Sequence, residues 1–102
     1  MKLFIVTCLK EFQDNVSKIF KDAGIQVFSA TPVIGFRNDQ PMNILDSWFA
    51  AGEEKMDSLM LFSFTGEENA NQAMDLIKKF NNRNETPFPL RAFIIPVENA
   101  SS

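Results

Sequence analysis

The chain has 102 residues, a formal charge of −3, no histidine, one cysteine and no tyrosine, against eleven phenylalanines. That length suits one compact domain of about 100–150 residues, and a 45% hydrophobic, 23% charged composition excludes a disordered chain. The acidic balance leaves no basic field to hold a nucleic-acid backbone. Without histidine or a Cys-x-x-Cys pair, imidazole catalysis and the usual transition-metal sites are excluded, so no enzyme and no metal centre is expected.

Residues 2–9 (KLFIVTCL) are apolar on both alternating faces, the pattern of a strand buried on two sides. The run is short for a secretory leader, and Lys10-Glu11 closes it without a small-residue cleavage site. A cytoplasmic protein with a reduced thiol is expected, with Cys8 a small core residue. Phe12, Val16, Ile19, Phe20 and Ala23 recur at helical spacing, and Gly24 stands where a left-handed C-cap belongs. Residues 25–36 read as a second strand, with Pro32 marking an edge or a bulge.

Residues 37–41 form a polar loop. Residues 43–54 support either a helical stripe or a short strand, and the strand is the preferred reading; Glu53-Glu54 reads as a solvated turn. Residues 58–64 form a third strand with two apolar faces, Leu59 and Leu61 against Met60, Phe62 and Phe64. Thr65-Gly66-Glu67-Glu68 has the spacing of a capping box opening a second helix. The stripe of that helix is Ala73, Leu76, Ile77 and Phe80, and Asn81-Asn82 end it. Thr86-Pro87-Phe88-Pro89 leads into a fourth strand over 90–97. One domain over residues 1–98 and a short flexible tail over 99–102 follow.

The order is βαββαβ, a ferredoxin-like α+β fold with a four-stranded antiparallel sheet and two helices on one face. Three strands are apolar on both faces, yet two helices cover only one face. A second apolar sheet face exceeds what monomers usually expose, so an oligomer is expected.

Several segments resemble the PII signal-transduction family. Its first strand ends near Lys-Pro-Phe, followed by a helix of the form Asp-x-x-Val-x-x-x-Leu, an Ala-Gly-Ile turn and a second strand ending Val-Lys-Gly-Phe-Gly. This chain has Lys10-Glu11-Phe12, Asp14 and Val16, Ala23-Gly24-Ile25 and Val33-Ile34-Gly35-Phe36. The family's last strand, Gly-Lys-Ile-Phe-Val-x-Pro-Val-Glu, is matched by Leu90-Arg91-Ala92-Phe93-Ile94-Ile95-Pro96-Val97-Glu98.

The resemblance implies a non-enzymatic, trimeric signalling protein. It implies a small ligand in clefts between subunits, and a loop, here 37–57, that docks on a membrane transporter, an enzyme or a regulator. It marks Ser29, Gly35, Phe36, Arg37 and Arg91 as ligand-binding positions. The pair Trp48-Phe49 either packs under its own loop or anchors a partner. Bland readings stand beside these: Arg91 as an exposed strand charge or inter-subunit ion pair, Arg37 as a solvated loop charge, Gly35 as a bend.

The departures bear on the ligand. The family's Gly-Asp-Gly-Lys phosphate cradle is here Phe88-Pro89-Leu90-Arg91, no arginine-rich segment follows Glu98, and no tyrosine is present to be uridylylated. No resident cofactor is expected, and nucleotide binding is possible but weaker than in the family. A small oligomeric enzyme on a dimeric α/β-barrel scaffold is the alternative reading.

Overall fold

The computed structural model describes residues 1–34 and 57–101 of the chain. Strand β1 (Lys2–Leu9) runs through a 3-10 turn (Lys10–Phe12) into helix α1 (Gln13–Asp22). Strands β2 (Ser29–Ile34) and β3 (Asp57–Thr65), helix α2 (Glu67–Arg83) and strand β4 (Arg91–Pro96) complete the described elements. The sheet is antiparallel with order β2-β3-β1-β4, the ferredoxin-like arrangement expected from the sequence.

Alternation along the strands fixes the two faces. Phe4, Val6, Cys8, Leu59 and Leu61 are buried in one cluster with Val16, Ile19 and Phe20 of α1 and Ala70, Ala73 and Ile77 of α2. Both helices therefore lie on that face. Phe20 is fully buried, its ring edge-on to Phe4 at 5.6 Å and to Phe28 at 4.9 Å between centroids. Phe12, half-buried, meets Phe80 edge-on at 5.8 Å and ties the two helices near the chain entry to α1.

The opposite face carries Leu3, Ile5, Thr7 and Leu9 of β1, with Ser58, Met60, Phe62 and Phe64 of β3 aligned beside them. Phe93 and Ile95 of β4 continue the rows from Ile5 and Leu3. Phe64 is 59% and Ile95 42% exposed in the single chain. The second apolar face read from the sequence is thus present, and at its Phe64–Leu3–Ile95 end it is open.

Helix α1 stops as its sequence dictates. Gly24 takes φ +78°, the Ile25 N–H donates to the Phe20 carbonyl at 2.8 Å, and the Gly24 N–H to the Lys21 carbonyl at 3.0 Å. This is a Schellman closure, with Ile25 and Phe20 as its buried apolar pair. A left-handed residue with a Cβ costs roughly 1–2 kcal/mol, and here the new Cβ would lie 3.3 Å from Asn69 Nδ2. Gly24→Ala should lower unfolding stability by about that amount in a urea titration; an unchanged midpoint would contradict the closure.

Four local expectations are corrected. The second strand begins at Ser29 rather than at 25. Ile25 is held by the helix closure and Phe28 turns its ring into the core, so the ladder starts only at the Ser29–Phe62 pair. The capping box does not form. Thr65 stays in the β3 ladder opposite Lys2, and Gly66 in extended conformation becomes the N-cap, with no side-chain cap. Helix α2 also runs past Asn81-Asn82 to Arg83, where Asn84 closes it by giving its N–H and its Nδ2 to the Phe80 carbonyl. The fourth strand is one residue shorter at each end than expected.

Candidate functional site

Of the expected ligand positions, the described residues include Ser29 and Arg91; Gly35, Phe36, Arg37, Trp48, Phe49 and the ambiguous 43–54 segment lie outside them. Ser29 opens β2 and is exposed, paired in register with Phe62. Arg91 opens β4 and is exposed, paired in register with Thr7. Strands β2 and β4 are the two edges of the sheet, with β3 and β1 between them. Three inter-strand spacings make about 14 Å. One chain therefore does not bring Ser29 and Arg91 to the same site.

At the Ser29 edge, Val27, Phe28, Ser29, Phe62, Ser63 and Phe64 line an open depression of about 220 Å³. Its shape follows from where the ladder ends. Beyond the Ser29–Phe62 pair, the buried Ser63 hydroxyl donates to the Val27 carbonyl at 2.6 Å and holds residues 27–28 against β3 without a backbone ladder. Val27, left on the outside, is 82% exposed. The lining contains no charged side chain. It offers aromatic surface, a serine hydroxyl and backbone polar groups, and it falls short of the ~300–1,000 Å³ of a self-sufficient small-molecule pocket. It is a one-sided depression at the sheet edge.

At the Arg91 edge, the entry to β4 is fixed by Asn81. The Asn81 Nδ2 donates to the Leu90 carbonyl at 2.9 Å, and the Leu90 N–H donates to Asn81 Oδ1 at 3.0 Å. The side-chain amide thus imitates a strand neighbour for buried Leu90. In the sequence Asn81 stands as a helix terminator, and its clasp on Leu90 is a role that only the fold reveals. No local pattern marks it, because the clasp forms with a residue nine positions on, whose backbone groups the ladder leaves over. Phe62 and Phe64 share one face of β3 in the sequence pattern, but their place beside Ser29 requires the register.

Cys8 lies in the core, and burial pushes its thiol up to about 11. At pH 8 only about one such thiol in a thousand is ionised, and the thiolate is the reactive form. Ellman's reagent should therefore leave the folded chain unmodified and react fully in denaturant; rapid labelling of the folded chain would contradict the burial. On the second face, the buried Ser58 Oγ has no hydrogen-bond partner among the described residues. Among the described residues no group of three His, Cys, Asp or Glu side chains could hold a metal ion, and no helix is long and apolar enough to cross a membrane.

The described fold is similar to that of a solved structure, CPII, a nitrogen regulatory PII-like protein from Thiomonas intermedia K12 bound to ADP, AMP and bicarbonate. The TM-score is 0.63 at 10% sequence identity, covering 91% of this chain and 84% of that one. No protein-family model and no curated protein matches the sequence. The likeness is one of fold, and the fold is PII-like.

Proposed function

We propose that the chain is a non-enzymatic PII-like regulatory protein that works as a homotrimer. It senses a small nucleotide-like or other anionic ligand in clefts between subunits. The observation that carries this reading is the separation of Ser29 and Arg91 on opposite edges of one sheet whose second face is apolar and open at one end. Packing those faces together buries apolar surface and sets the β2 edge of one subunit beside the β4 edge of the next. The incomplete wall at Val27, Ser29 and Phe62 then gains its second side, with Arg91 supplying positive charge to an anion. The ligands of the structural neighbour, ADP, AMP and bicarbonate, are the natural first probes.

In this reading Gly35, Phe36 and Arg37 complete the ligand site, and the 37–57 segment docks on a transporter or enzyme with Trp48 and Phe49 as its apolar anchor. The chain holds no resident cofactor and acts in the cytoplasm.

Subunit mixing tests the arrangement directly. Ser29→Arg and Arg91→Ala should each abolish probe binding in calorimetry, because each spoils every cleft of its own trimer. Unfolding and refolding the two variants together should restore some binding, since mixed trimers contain clefts with an intact Ser29 edge and an intact Arg91 edge. A mixture as inactive as its parents would defeat the inter-subunit site.

A further inference from the structure

The segment entering β4 offers no free backbone donor over four consecutive residues. Pro87 and Pro89 have no N–H. The Phe88 N–H donates to Thr86 Oγ1 at 3.2 Å, and the Leu90 N–H donates to Asn81 Oδ1 at 3.0 Å. The second bond is half of a two-point clasp, because Asn81 Nδ2 returns a bond to the Leu90 carbonyl at 2.9 Å. Leu90 is only 2% exposed, so breaking the clasp would leave buried polar groups without partners.

Chains of phosphates are held by concavities in which several successive amides point at the oxygens, supplemented by cations. Here two amides are missing and two are engaged, and the proline rings limit any rearrangement that would aim the rest at one point. We infer that the 86–90 turn is a specificity element that excludes phosphate chains from the Arg91 edge, with Asn81 as the positioning residue that closes it. A nucleotide bound there gains no affinity from its second and third phosphates at this edge, and its anionic group is held by side chains rather than by backbone. This rests on the proposed reading of that edge as one wall of the ligand cleft.

The test uses the full-length, 15N-labelled chain titrated with inorganic tripolyphosphate at millimolar concentration, followed at the amides of Thr86, Phe88 and Leu90. No saturable shift is expected; a saturable downfield shift of Phe88 and Leu90 would overturn the inference. Calorimetry with AMP, ADP and ATP is the second arm. ADP and ATP should bind no more tightly than AMP, and a tenfold gain for either would also overturn it. If no nucleotide binds at all while tripolyphosphate leaves the turn silent, the exclusion stands and the nucleotide-sensing reading fails. Hydrogen exchange adds a readout specific to Asn81. The Leu90 amide should be protected in the native chain and exchange at least tenfold faster in Asn81→Ala. An unprotected Leu90 amide in the native chain would show that the donor is not engaged, and would overturn the assignment.

Discussion

Phe20→Ala should cost about 3–5 kcal/mol of folding stability, the range measured for a fully buried phenylalanine truncated in a core that cannot collapse around the gap. The side chain is inaccessible to solvent, and its ring bridges Phe4 on β1 and Phe28 just before β2. Losing it removes two edge-to-face contacts and leaves α1 without its central anchor on the sheet. Typical domains have only about 5–15 kcal/mol to lose, so the variant should be partly unfolded or melt far below the parent. Phe12→Ala is the control. Its half-buried ring meets Phe80 at the margin of the core, and the loss should be clearly smaller. Urea titrations of both variants check the ordering. Equal losses would show that the Phe4–Phe20–Phe28 group is not the centre of the core.

Most of the fold was legible because its signals are short in range. Phe4, Val6 and Cys8 alternate with Leu3, Ile5 and Thr7, and no helix could satisfy both rows. The α1 stripe from Phe12 to Ala23 and the glycine after it describe a helix with its own stop, and Gly24 adopts the conformation that its position implied. Local rules failed where a distant partner competed. Thr65 has the right spacing for a capping box, but Lys2 on the neighbouring strand holds it extended. Residues 25–28 have strand-like composition, yet the α1 closure claims Ile25 and the core claims Phe28.

The candidate site was harder to read for the same reason. Family pattern marked Ser29 and Arg91, and the βαββαβ order already implied that β2 and β4 form opposite edges. No pattern in the sequence could show that Ser63 would hold Val27 beside the Ser29 edge, or that Asn81 would clasp Leu90 nine residues on. Both are side-chain bonds to backbone groups that the ladder leaves over. Such groups become identifiable only once the register fixes which ones remain.

Phe64→Asp should convert a trimer into a folded monomer. Phe64 is 59% exposed in the single chain, near the end of β3, level with Leu3 and Ile95 across the second face. A substitution at so exposed a position normally changes the stability of an isolated chain by no more than about 0.5 kcal/mol. In an assembly that buries this face, the same carboxylate would lose its water without gaining a partner, at an effective cost of several kcal/mol per subunit. Light scattering after size exclusion should give three times the 11.6 kDa chain mass for the parent and a single chain mass for the variant. Far-ultraviolet dichroism should show that the variant keeps its helices, because Phe64 lies on the side of the sheet away from them. Gln72→Asp, an exposed change of the same charge on α2, should leave the trimer intact. The parent's melting temperature should rise with protein concentration, as linkage between folding and association requires, while the variant's should not. A parent chain that is monomeric at micromolar concentration would remove the reason for placing the ligand between subunits, since a single chain keeps Ser29 and Arg91 on opposite edges of the sheet.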